Sequence, residues 1–399
     1  MRLGPQRSAT LAAMAFLLVF PGFVFYQTAV DAGRIQPALG GFFTASCAVA
    51  MPFLAFAYLR NVRHFRIGAI GGLFFAFLGL FGLNILAGAL TGANSEITGS
   101  HAAYLFKFVV LFLAARLIDS TRPRFVQWTA VAFLSVVVVI LSRVLEGDLL
   151  VIRLARQANE DFMLDYQGVG HALLVLSLFC APPLKRRYRF GVYVLAAPAL
   201  FLTGARSELV AFLLAAGLIE FCKTRQRLPF LLAAVALVGI ASLALEFVTL
   251  PDHRIFNLLR ISEDQSVHER ARMAVAAWDT IENSPLLGSY ASYPPGTYAH
   301  NILSAWVDLG LAGFLLLIVL LVAPTFVLLR RFARWRRDDL YVLALVCFAV
   351  TILLVLFAKT FTYQTIPLAL GLYCRWRFPP KVQEARHAVR SQKYTTTTT

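Results

Sequence analysis

Apolar runs of about 20 residues recur along almost the whole chain, and a helix needs a run of this length to cross a bilayer. The sequence is 59% hydrophobic, with a mean hydropathy of +0.70. These features predict an all-α polytopic membrane protein with about 12 transmembrane helices. The candidate spans are residues 11–30, 37–59, 67–90, 102–118, 125–145, 168–184, 190–203, 209–222, 228–250, 302–329, 340–358 and 365–374. The spans 190–203 and 209–222 are short, so they either tilt around the polar turn between them or form one broken helix pair.

The basic residues are distributed unevenly among the connections between the predicted spans. Most of the 37 lysines and arginines fall on alternate connections, starting with the N-terminus and ending with the tail. The positive-inside rule therefore places both termini in the cytoplasm. We expect an uncleaved first span. A net charge of +16 with this distribution indicates membrane topology, not nucleic-acid binding.

The predicted organisation has four parts. Residues 1–250 hold helices one to nine, 251–301 form one large outer loop, 302–374 hold the last three helices, and 375–399 form a basic cytoplasmic tail. The five cysteines lie in or beside apolar runs and indicate neither a disulfide framework nor a metal site.

His300 and Asn301 stand where the outer loop becomes apolar, which places them at headgroup depth. Asn301 can cap the helix that follows. His300 fits a capping or packing role, and it also fits proton transfer, because an imidazole titrates near neutral pH.

Three arginines share the outer layer. Arg206 lies between two short apolar segments, where an arginine is costly unless it pairs, for example with Glu208, or binds an anion. Arg270 and Arg272 lie on a predicted amphipathic helix whose apolar stripe is Ala271, Val275, Trp278 and Ile281. They fit either a solvated face or phosphate binding, since guanidinium groups bind phosphate bidentately.

Two further residues are candidates for substrate binding. Lys107 lies in the fourth span with His101 and Tyr104 at helical spacing, and it either snorkels or reaches the headgroup layer. His171 lies near the outer end of the sixth span, where it can line a glycan groove with Tyr166 and Gln167. Asp308 either orients His300 or pairs with a neighbouring helix.

These residues also carry a family resemblance. The segments Pro285-Leu-Leu-Gly, Ala299-His-Asn-Ile-Leu, Gly310-Leu-Ala-Gly-Phe and Leu202-Thr-Gly-Ala-Arg resemble the signature of the O-antigen ligase and O-antigen polymerase superfamily. Ala205 stands where that family more often has serine. The sequence motifs resemble the family closely from about residue 200 to 315. Elsewhere the chain resembles the family only in its arrangement of membrane helices.

The resemblance implies a GT-C-like, metal-independent, inverting glycosyltransferase on the periplasmic face of the bacterial inner membrane. Its donor is a glycan on undecaprenyl diphosphate, and it needs no cofactor. The acceptor is lipid A core for a ligase or a second lipid-linked glycan for a polymerase. By position, His300, Arg206 and Arg270 match the family's catalytic residues. The substrate-binding candidates are Arg272, Asn301, Lys107 and His171.

Two other classes of protein stay open from the residues alone. A lipid-linked oligosaccharide flippase or another polytopic transporter also has intramembrane arginines, although we find neither paired repeats nor matching interrupted helices. A structural scaffold leaves Arg206 unexplained.

Overall fold

A computed structural model of the chain describes residues 5–32, 34–36, 41–61, 67–145, 166–224, 265–335 and 338–379. Within these ranges every regular element is a helix, as the sequence predicts. The helices are α1 (Pro5–Asp31), α2 (Phe42–Asn61), α3 (Gly68–Thr91), α4 (Ser95–Leu117), α5 (Pro123–Leu145), α6 (Tyr166–Cys180), α7 (Arg186–Leu202), α8 (Arg206–Lys223), α9 (Gln265–Asn283), α10 (Leu303–Trp335), α11 (Asp339–Phe357) and α12 (Thr365–Arg377).

Seven of the described helices are long and apolar enough to cross a membrane, namely α1 to α5, α10 and α11. This confirms a polytopic membrane protein. All but one of the predicted spans coincide with a described helix. The exception, 228–250, lies outside the described residues. Membrane crossing by α6, α7, α8 and α12 stays a prediction, and so does the total of about 12.

Two short helices form the centre of the bundle. Every residue of α6 from Val169 onward is buried, and α12 is buried from Thr365 to Trp376. The 13 residues of α12 rise about 20 Å, which is less than the roughly 30 Å hydrocarbon core. The predicted crossing by α12 would therefore place the turn 358–364 that precedes it below the membrane surface. Irregular backbone at this depth must be enclosed by protein or must line a cavity.

The helices α7 and α8 form an antiparallel hairpin. Arg189, near the start of α7, pairs with Glu220, near the end of α8, at 2.6 Å between Nε and Oε1. The Tyr193 hydroxyl donates to the same carboxylate at 3.2 Å. The short predicted spans 190–203 and 209–222 are thus two packed helices joined by the turn 203–205.

The amphipathic helix of the outer loop is α9, and its buried face differs from the predicted stripe. Ile281 is buried as expected, but Ala271, Val275 and Trp278 are exposed. The buried positions are Ala277 and Ile281, which are one helical turn apart and pack on the start of α10. The predicted apolar stripe is thus only partly the face that meets α10, because hydropathy alone does not show which side of an amphipathic helix packs on protein.

Candidate functional site

The outer loop is locked onto α10 at a break in that helix. Gly310 interrupts α10 with φ 66° and ψ −174°. A break of this kind leaves backbone groups without helical partners. Here the loop supplies them, because Ser289 N donates to Val307 O at 2.7 Å and Leu311 N donates to Leu286 O at 3.1 Å.

Two glycines make this interlock possible. A Cβ at Gly288 would lie 2.5 Å from Val307 O, and a Cβ at Gly310 would lie 2.3 Å from Leu286 O. Both residues also have positive φ, 71° and 66°. The motifs that contain Gly288 and Gly310 are separate in sequence, but they pack against each other in one contact that fixes the loop.

The end of the loop is fixed to the turn before α12. Asn301 Oδ1 accepts a hydrogen bond from Leu303 N at 2.9 Å, so this residue caps α10 as predicted. Ser304 Oγ donates to Asn301 O at 2.7 Å and accepts from Phe361 N at 3.0 Å. The segment that carries His300 and the turn 358–364 are thus held side by side.

His300 lies half-buried between cations. Its ring packs on Tyr298, with 4.6 Å between centroids. Burial, and then the positive charges of Arg270 and Lys359, lower the pKa of His300 to about 4. The imidazole is therefore neutral at pH 7 and can accept a proton.

Lys359 is a site residue that the sequence interpretation missed. Its Nζ lies 2.7 Å from Glu208 Oε1 and 2.9 Å from Gln167 Oε1. Glu208 is completely buried, and Ser207 Oγ donates to its other oxygen at 2.8 Å. The position of this lysine, directly after the apolar span 340–358, was the available signal, because a charge there needs a partner.

His171 joins the same buried network. Its Nδ1 lies 2.8 Å from the Tyr363 hydroxyl, which donates to Glu208 Oε1 at 3.5 Å. Within the described residues, Nε2 of His171 has no hydrogen-bond partner. Lys359 thus connects His300 electrostatically to a hydrogen-bonded cluster of Glu208, Gln167, Tyr363 and His171.

Arg206 is the first residue of α8 and is half-buried. The turn before it contains Gly204, which has φ 68°. The next residue, Ala205, packs closely on α6, because a Cβ added at Gly170 of α6 would lie only 2.4 Å from the Cβ of Ala205. Glu208, considered from sequence as the partner of Arg206, forms an ion pair with Lys359. Arg206 therefore begins the helix that carries the buried carboxylate.

The remaining substrate-binding candidates lie on α9 and α4. Arg272 is exposed, two residues after Arg270 on α9. Lys107 lies on α4, over the ring of Tyr104 at 4.5 Å and that of Phe43 at 5.7 Å. The structure thus groups His300 with Arg270 and connects it to His171 through Lys359. The hydrogen bonds and ion pairs described above for this group involve neither Arg272 nor Lys107.

A cavity of about 220 Å³ opens next to His300, between the start of α4, the outer loop and the turn before α12. One of its lining residues is Asp308, which accepts from Ala291 N at 3.0 Å and from the Tyr293 hydroxyl at 2.8 Å. From the sequence, Asp308 was considered for orienting His300 or for pairing with a neighbouring helix, whereas in the structure it pairs with the outer loop. The carboxylate holds the loop.

Tyr290 anchors the other side of the loop. Its hydroxyl lies 3.2 Å from His101 Nδ1 on α4. Its ring packs directly on Gly88 of α3, since a Cβ added at that glycine would lie only 2.5 Å from the ring. Burial raises the pKa of Tyr290 to about 12, so this hydroxyl stays protonated and is available as a donor.

Part of the chain matches the model of a known protein family. Residues 191–318, from α7 into α10, match the family model described as O-antigen ligase. The match confirms the resemblance to the O-antigen ligase and polymerase superfamily, and it supports a ligase- or polymerase-like function in surface polysaccharide synthesis. Neither the curated proteins nor the solved structures gave a match. The matched residues include Arg206, Arg270 and His300, whereas Lys359 lies beyond them.

Proposed function

We propose that the chain is a glycosyltransferase that moves a glycan from undecaprenyl diphosphate to an acceptor hydroxyl in the synthesis of surface polysaccharide, such as the O-antigen of lipopolysaccharide or an exopolysaccharide. It acts as a ligase on lipid A core or as a polymerase on a second lipid-linked glycan. The observation that supports the proposal is His300 at the end of the outer loop, where its ring packs on Tyr298 and where Arg270 and Lys359 act on it.

The charges suit a diphosphate leaving group. Arg206 and Arg270 stabilise the negative charge that develops on the diphosphate as its bond to the sugar breaks. Arg272 extends this basic surface on α9. Lys359 is paired with Glu208, so it adds less positive potential at the site than the arginines do. Arginines keep their charge at every physiological pH, so the reaction does not depend on protonating them.

His300 takes the proton of the acceptor. The acceptor oxygen forms a bond to the anomeric carbon while the bond from that carbon to the diphosphate oxygen breaks, and the hydroxyl proton passes to His300. Undecaprenyl diphosphate leaves with the bonding electrons. A single in-line displacement inverts the anomeric centre. The anionic diphosphate also raises the proton affinity of His300, because it offsets the two cations that lower its pKa.

The sidedness of the helices supports a periplasmic site. The helix α7 runs from the basic residue Arg186 to Leu202, just before Arg206, and α12 runs from the Lys359 turn to Arg377. The basic clusters thus lie at the helix ends opposite the site. By the positive-inside rule these clusters and both termini are cytoplasmic, and the site faces the periplasm across the inner membrane. This arrangement is GT-C-like.

The proposal is tested with purified protein in nanodiscs, given an undecaprenyl-diphosphate glycan with and without lipid A core, with products resolved on a gel. A product that requires lipid A core identifies a ligase. A ladder of longer lipid-linked glycans without it identifies a polymerase. If folded protein gives no product in either lane but moves the lipid-linked glycan between leaflets, the chain is a transporter and the proposal is wrong.

A further inference from the structure

The residues that line the cavity beside His300 differ in charge from Arg270 and Lys359, the two cations that act on His300. Its described lining holds two carboxylates, Glu96 and Asp308, and no lysine or arginine. Arg270 and Lys359, by contrast, act on His300 from outside this lining. A phosphate or diphosphate in the cavity would find no cation among these residues and would face the carboxylate of Glu96, so this space favours an uncharged ligand.

The polar groups that line the cavity suit a polyhydroxylated ring. Ser100, Thr360 and Thr362 present hydroxyls, which both donate and accept hydrogen bonds. Tyr104 and Tyr298 present aromatic surfaces with polar ends. The two threonine hydroxyls are held in place, since Thr360 and Thr362 hydrogen-bond to each other at 2.7 Å.

The volume limits the ligand to about one ring. The cavity measures about 220 Å³. Pockets that enclose drug-sized ligands usually measure about 300–1,000 Å³. A single pyranose is the sugar unit that matches this space, and the rest of a glycan must extend through the open side.

We propose that this cavity is the subsite for one uncharged sugar ring of the acceptor, the ring that carries the attacking hydroxyl. The inference rests on the proposed glycosyltransferase function. The donor sugar is bonded directly to the diphosphate, so it must lie against the arginines. The acceptor ring is one residue further from the phosphate charges and occupies the side without cations. Tyr298 links the two parts, because it lines the cavity and packs on His300 at 4.6 Å.

The subsite predicts selectivity against phosphorylated acceptor sugars. We would measure binding by saturation-transfer NMR, with the protein in nanodiscs free of glycoside detergent. The probes are a methyl hexopyranoside and the corresponding hexose 6-phosphate. We expect saturation transfer to the neutral glycoside and at least a several-fold weaker signal for the phosphate. Equal signals from the two probes would overturn the assignment.

Adjacent positions on α4 offer a matched pair of variants. Ser100 lines the cavity, whereas Gly99 faces open space. Ser100→Trp fills the subsite and should abolish glycoside binding, while Gly99→Trp adds the same side chain and should leave binding unchanged. Glu96→Lys should strengthen binding of the hexose phosphate. Loss of glycoside binding in both tryptophan variants, or in neither, would contradict the proposed location.

The same variants separate the subsite from the proposed function. If Ser100→Trp transfers glycan at the wild-type rate in the gel assay, the subsite is wrong and the transferase function stands. If the wild type binds the neutral glycoside and Ser100→Trp does not, but no donor yields product, the sugar site stands and the transferase function fails.

Discussion

Replacing Gly310 by alanine should release the loop that carries His300. Alanine at φ 66° and ψ −174°, a region of backbone space essentially confined to glycine, costs about 1–3 kcal/mol. The new Cβ would also lie 2.3 Å from Leu286 O, so the loop must move away. That movement breaks the hydrogen bonds of Ser289 N and Leu311 N, each worth about 0.5–1.5 kcal/mol. The total loss of local stability is on the order of 2–6 kcal/mol.

Gly92 provides a control for a positive φ without a steric contact. It has φ 79° at the end of α3, but an added Cβ there meets open space. Gly92→Ala should therefore cost only the strain of about 1–2 kcal/mol. The assay is amide hydrogen exchange of peptides that cover 284–311, compared between the two variants and the wild type. We expect exchange at Ser289 and Leu311 to rise at least roughly 30-fold in Gly310→Ala and to stay unchanged in Gly92→Ala. Wild-type protection in Gly310→Ala would refute the interlock.

Two further perturbations test the charges around the site. Lys359→Met leaves the buried Glu208 carboxylate without its cation and should lower the free energy of unfolding by about 3–5 kcal/mol, whereas adding Glu208→Gln should recover most of that loss. Denaturant titration of the single and double variants measures this, and a double variant that is less stable than Lys359→Met would contradict it. Arg270→Gln removes a positive charge that lowers the pKa of His300, so that pKa should rise above about 4. Since the neutral imidazole is the active form, the acidic limb of the pH profile of kcat/KM should move to higher pH, and an unmoved limb would be inconsistent with His300 as the base.

The helices were predictable because the length of an apolar run is a local property of the chain. The predicted spans 67–90 and 340–358, for example, differ from α3 and α11 by one residue at each end. The face that α9 buries was not predictable in this way. Ala277 packs inward and Val275 outward because of where the loop and α10 lie, and hydropathy does not encode that position.

Part of the site was visible in sequence and part required the structure. Asn301 was identified as a helix cap because capping depends on neighbours in the chain. Lys359 was missed because its importance comes from Glu208 and Gln167, which are distant in sequence. The motif glycines Gly288 and Gly310 were visible in the sequence. Only the structure shows that each glycine lies against the backbone of the segment that contains the other.

The central claim is that His300 accepts the proton of the acceptor hydroxyl. Its most direct test is the single-turnover rate of glycan transfer at pH 7 for the wild type and for His300→Ala, both shown to be folded and to bind the lipid-linked donor equally. Loss of a general base should lower the rate by about 10²–10⁴-fold. Transfer by His300→Ala at close to the wild-type rate would contradict the account.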